Sequence, residues 1–179
     1  MTNKALNTHT NAHTTHTTSY NNIYKMLSAT NLPADQFVPD FPSHLTADIP
    51  IQYIIEKLHD LGPLYFNDKK TAYAELRIAG INKPFWVHKE YLETQSMFFK
   101  ELFETVQNGD AVTISIPSPE TFEAILEYLY YGDIQKWYAS LTLDNYYGVC
   151  QNVEFLGLGS DAKDVCLRFY HQEIKGLSQ

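Results

Sequence analysis

Phe85-Trp86-Val87-His88-Lys89-Glu90-Tyr91-Leu92-Glu93-Thr94-Gln95-Ser96-Met97-Phe98-Phe99 changes rhythm halfway, from the alternation of a strand to the spacing of a helix, around a His-Lys pair. Upstream, Leu76 and Ile78 alternate with Glu75 and Arg77, and after Gly80-Ile81-Asn82-Lys83 the apolar Phe85 and Val87 alternate again. A period of two marks half-buried strands, and the turn residues between them make the pair a β-hairpin. From Leu92 the spacing lengthens. Ser96 is placed to accept from the free N–H groups that open a helix, with Phe99, Leu102, Phe103 and Val106 along its buried side. Asn108-Gly109-Asp110 breaks that helix, and Val112, Ile114 and Ile116 alternate with Thr113 and Ser115 as a third strand.

A second patterned segment follows. Ser118-Pro119 sets a capping hydroxyl before a proline at the first helical position, where the missing N–H costs nothing; Phe122, Ile125, Leu126 and Leu129 form the stripe and Gly132 stops it. Together the two segments resemble the BTB/POZ domain. That family carries a Phe-x-(Val/Ala)-His-(Lys/Arg)-x-x-Leu-x-x-x-Ser-x-x-Phe core, matched in register by Phe85, Val87, His88, Lys89, Leu92, Ser96 and Phe99. After one strand it has a Ser-Pro-x-x-Phe…Leu-x-Tyr-x-Tyr-x-Gly helix, matched by Ser118, Pro119, Phe122, Leu126, Tyr128, Tyr130 and Gly132.

Two further helices fit the same plan. Thr142 can cap one with Tyr146, Cys150, Val153 and Leu156 on a face; Ser160 can cap another with Ala162, Val165, Cys166 and Phe169. Strands and helices without βαβ periodicity give an α+β fold, a small and mainly antiparallel sheet covered by helices. An amphipathic helix precedes it over 48–61, capped by Asp48, striped by Ile51, Ile54, Ile55, Leu58 and Leu61, and stopped at Gly62-Pro63. The domain is thus read as 48–175. That stripe can pack on its own domain, but the resemblance implies a twofold dimer interface, and the latter is the expectation.

The remaining 1–47 is different material. Residues 1–22 hold seven Thr, five Asn and three His with almost no aliphatic side chains, a composition that cannot bury enough surface to offset the entropy of ordering. Disorder is expected there, followed by an extended Pro-containing linker over 31–47. His9, His13 and His16 have a spacing that could share a metal on a helix, but Thr and Asn disfavour helix and no Cys or carboxylate joins them, so no metal site is expected.

Composition bounds the function. The 179 residues are 44% hydrophobic with net charge -8, which suits one ordinary core and, without any basic block, argues against nucleic acid or an anionic membrane as ligand. No apolar run approaches the ~20 residues that span a bilayer and the polar start is no signal peptide, so cytosol or nucleus is the expected location. Cys150 and Cys166 read as reduced core thiols.

No catalytic, metal or cofactor residue is assigned, since His88 has no nucleophile at hand and the resemblance makes it structural. What the resemblance implies is an interaction module that self-associates and recruits another protein. Phe103 and Val106 beyond Ser96, and Trp137 and Tyr138 in a polar loop, are the candidate partner surface. The alternative is a substrate adaptor of a cullin-based ubiquitin ligase. Such adaptors often carry a hydrophobic-x-Glu element where this chain has Val106-Gln107-Asn108, so cullin affinity is expected to be weak. The chain also holds Tyr73 where dimeric relatives often have an Asp beside the basic residue, so Lys89 is expected to keep its ammonium at the surface against Glu93.

Overall fold

A computed structural model describes residues 49–175. The expectations for residues 1–48, including the histidines and the Asp48 cap, lie outside the described residues. Helix α1 (Ile51–Tyr65) opens the domain, followed by strands β1 (Ala74–Ile78) and β2 (Pro84–Val87), the short helices α2 (Lys89–Glu93) and α3 (Met97–Leu102), and β3 (Ala111–Ile114). A 3-10 turn at Pro119–Thr121 leads into α4 (Phe122–Tyr131), then α5 (Ile134–Ala139), α6 (Tyr146–Phe155) and α7 (Ser160–Phe169).

The sheet has the order β2-β1-β3. The hairpin pairs Leu76 with Phe85 antiparallel, whereas β3 joins parallel, with Leu76 opposite Val112. The sheet is therefore mixed, not mainly antiparallel, because the chain leaves β2 through two helices and returns in the direction of β1 as a crossover. Leu76, Ile78, Phe85, Val87 and Ile114 point into the core as the alternation requires.

Three helix boundaries differ from the sequence reading, each for a physical reason. Helix α1 begins at Ile51 behind Pro50 and runs through Gly62-Pro63 to Tyr65. Gly62 is a contact, not a stop: a Cβ there would lie 2.2 Å from the Tyr130 carbonyl oxygen, so only glycine lets α1 approach α4. Helix α3 ends at Leu102, short of the expected Phe103 and Val106, while at its start Ser96 is extended (φ -140°), accepts from Phe99 N–H at 3.2 Å and donates to the Leu156 carbonyl at 2.6 Å. Ser96 caps as expected while tying α3 to the end of α6. Ser118 does not cap; its hydroxyl is taken by the Glu120 carboxylate.

The remaining elements follow the sequence closely. Gly132 ends α4 in the left-handed region (φ 63°) with its backbone against the His59 ring. Thr142 and Asn145 exchange backbone-to-side-chain bonds of 2.8 and 3.2 Å ahead of α6. The inner face of α6 is Val149, Asn152, Val153 and Leu156, rotated from the expected one, so Tyr146 and Cys150 are half-buried. Helix α7 buries Ala162, Val165, Cys166 and Phe169. Both cysteines are free, and burial pushes the Cys166 thiol up to about 12.

Candidate interaction surface

The signature residues turn inward. Phe85, Val87, Leu92, Phe99, Phe122 and Leu126 are core, Ser96, Ser118 and Tyr130 are buried, and Pro119 and Tyr128 are half-buried. At their centre His88 is 2% exposed. The Tyr130 hydroxyl lies 2.8 Å from both the His88 backbone N–H and His88 Nδ1, and His88 Nε2 lies 3.0 Å from Thr71 Oγ1.

Hydrogen-bond accounting fixes the tautomer. Because the Thr71 hydroxyl donates its single proton to Asp68 at 2.7 Å, Nε2 must carry the ring proton and donate to Thr71, which leaves Nδ1 to accept the Tyr130 O–H. The ring is neutral. Burial, with Asp68 opposing it, pushes the His88 imidazolium down to about 4. Tyr130 also stacks on Tyr91 at 4.1 Å, and Tyr91 donates to the Leu58 carbonyl at 2.7 Å, so one chain of contacts spans α4, α2 and α1.

A second buried polar clamp was not foreseen. Asn152, fully buried, accepts from Ser118 N–H at 3.0 Å and donates to the Ser118 carbonyl and Thr121 Oγ1 at 2.7 Å. Its signal in the sequence is a lone amide among Val149, Val153 and Leu156 at helical spacing.

Lys89 takes the opposite course. Its ammonium lies 3.7 Å from Glu93, 3.3 Å from the Phe103 carbonyl and 5.7 Å from the centre of the Tyr73 ring. Tyr73 in turn donates to the Val106 carbonyl at 3.0 Å and meets Phe103 edge-on at 5.8 Å. Lys89 thus keeps its charge between a carboxylate, a carbonyl and the face of an aromatic ring.

The candidate surface is largely corrected by these contacts. Phe103 and Val106 are buried under Tyr73, and Trp137 is 2% exposed because α5, capped by Asp133, turns it onto Tyr128 at 5.4 Å. Only Tyr138 of the four is partly accessible, with Arg168 4.3 Å above its ring. On α1, Ile54, Leu58 and Leu61 are buried within a single copy of the domain, Ile55 is half-buried and Ile51 exposed. The exposed apolar side chains are Ile51, Tyr53, Met97, Leu143, Tyr147 and Phe155, among others, with Phe155 resting on the half-buried Phe98 at 5.1 Å.

The signature residues thus serve the fold, and comparison with known proteins gives the family to which it belongs. A model of the BTB/POZ domain matches residues 66–172, more than half of the chain. Similar solved structures include the BTB domain of zebrafish PATZ1 (TM-score 0.52, 21% identity, covering 70% of this chain and 97% of that one). The BTB domain of human Gigaxonin is also similar (TM-score 0.51, 22% identity, 72% and 98% covered). No curated protein sequence matches the chain. The chain belongs to the BTB/POZ domain family, whose members are protein-protein interaction modules.

Proposed function

We propose that this BTB/POZ protein is a non-enzymatic scaffold that associates with itself and recruits another protein, in the cytosol or nucleus. The observation that carries the reading is the disposition of its chemistry. The strongly shifted groups, His88, Tyr91, Tyr128, Tyr130, Tyr146 and Cys166, are each perturbed first of all by burial. The cleft between α4 and α5 is lined by Tyr128, Tyr131, Trp137 and the Lys136–Glu127 ion pair at 3.0 Å, which offers no nucleophile with a base beside it. Recognition is left to exposed apolar side chains on the outer helices.

Affinity capture with mass spectrometry, using wild type and a Tyr147→Glu, Phe155→Glu double variant on the outer face of α6, tests recruitment. A partner lost with the charges and retained otherwise supports the reading; an identical partner set, or hydrolase or transferase activity in the purified protein, overturns it. The adaptor reading keeps one specific observation in its favour. In the Gly132–Leu143 segment, Ile134 and Leu143 are exposed while Phe103 and Val106 are not. A cullin would therefore have to grip Ile134 and Leu143, and calorimetry should show weak binding that Leu143→Asp removes.

A further inference from the structure

The two edges of the sheet are finished differently. On β2 the outward-facing residues are Pro84, which has no N–H, and Trp86, whose N–H is taken by the Asn67 side chain at 2.8 Å. Asn67 reaches it from the left-handed region (φ 54°), and Lys69 sits 4.5 Å above the Trp86 ring. This edge accepts no further strand.

On β3 nothing comparable is present among the described residues. The bonds from Glu75 N–H to the Asp110 carbonyl and from Ala79 N–H to the Ile114 carbonyl show that the even-numbered residues face β1. Ala111, Thr113 and Ser115 thus aim their N–H and C=O groups outward, are exposed, and have no backbone partner among the described residues. The segment Ala111-Val112-Thr113-Ile114-Ser115-Ile116 has no charge, proline or glycine, and is β-branched at most positions. It lacks the devices that keep edges apart.

We propose that the β3 edge is an interaction surface and that its occupant is β3 of a second copy, antiparallel about a twofold axis at Thr113. This rests on the self-association reading and gives it a location, Ile54, Leu58 and Leu61 being buried within the domain. Three features select a second copy over a foreign strand. Centring on Thr113 sets Ala111 against Ser115 of the other copy and Thr113 against itself, so every outward N–H and C=O finds its complement; a shift by two residues strands a pair. The row that meets is small and neutral, which matters in a chain of net charge -8, and the two exposed Asp110 carboxylates are carried to opposite ends of the ladder. The half-buried Val112 comes opposite Ile114 of the other strand, extending the core face of one sheet into the next.

Sedimentation equilibrium on the full chain tests this. Wild type should move from 20.6 kDa toward twice that mass as concentration rises. Thr113→Pro removes one outward N–H without touching a bond to β1 and should hold the protein at monomer mass with an unchanged far-ultraviolet spectrum. Thr113→Ala and Ile51→Glu should associate like wild type. Should the proline variant unfold, Thr113→Cys serves instead: the facing Cα atoms of a bonded antiparallel pair lie about 5.5 Å apart, within disulfide range, so mild oxidant should give a covalent dimer. Gln107→Cys, exposed but off the strand, should give none. Association that survives Thr113→Pro, or no preferential crosslink at 113, overturns the β3 assignment and leaves self-association standing. A wild type that stays monomeric throughout its soluble range overturns both, even if a foreign peptide then proves to bind this edge.

Discussion

At His88 the chain buries a titratable ring and keeps it neutral; at Lys89, one residue on, it keeps a charge and leaves it near water. The first depends on complete hydrogen bonding, since Tyr130 and Thr71 satisfy the ring and backbone N–H of His88 and the Tyr91 N–H satisfies its carbonyl at 3.2 Å. The second depends on access. Lys89 shares its ammonium among Glu93, a carbonyl and an aromatic face, none of them indispensable while solvent remains. Two adjacent polar residues thus carry very different shares of the stability, and the difference follows from dielectric surroundings, not from charge.

The contrast can be broken most strongly at Tyr130. Tyr130→Phe strands the His88 backbone N–H and Nδ1 together in the core and should cost about 2–4 kcal/mol in denaturant unfolding. A cost near zero would mean that water or another group satisfies the ring.

Acid gives the next effect. The folded His88 pKa lies below its unfolded value, so between pH 6.5 and about 4 the unfolded chain binds the extra proton and stability falls as pH falls. The loss should total about 2–3 kcal/mol from this group. Glu90, raised by burial, works in the opposite direction, so the comparison is the difference in slope between wild type and His88→Gln. Equal slopes would show a ring that is charged or open to water.

Tyr73→Asp discards the bond to the Val106 carbonyl and the contact with Phe103, and should cost about 2 kcal/mol despite placing a carboxylate near Lys89. Smallest of all, Lys89→Met should cost under about 1 kcal/mol, as expected of a partly exposed pair. A loss near 3 kcal/mol by calorimetry would place Lys89 among the buried clamps and erase the comparison.

Local chemistry was legible where one residue decided it. The hairpin alternation, the Ser96 cap, the Gly132 terminus and the α7 stripe are all set by neighbours in sequence. What was misread depended on distant chain. Gly62-Pro63 has the composition of a stop, but the need to approach Tyr130 fixes its role, and helix packing overrides local punctuation. Trp137 looked available because its sequence neighbours are polar, and Phe103 because it follows the capped helix of the resemblance, yet Tyr128 and Tyr73 cover them from other elements. Periodicity placed the stripe of α1 without saying which protein surface lies over it. The interaction edge at β3 was hidden for the same reason: alternation identifies a strand, whereas its open side follows only from strand order.

The parallel joining of β3 to β1 also has a kinetic consequence. The hairpin closes over a short turn, but the β1–β3 ladder must wait until the whole stretch from Ala79 to Asp110 is gathered, and loop closure over that span delays the reward of its contacts. Side chains of the β1–β2 ladder should therefore be largely formed at the folding barrier and those of β3 only weakly. Val112→Ala should quicken unfolding while leaving the refolding rate nearly unchanged, and Val87→Ala should slow refolding. A molecule assembled in that order presents its unfinished border last, after the rest of the sheet has already committed to its register.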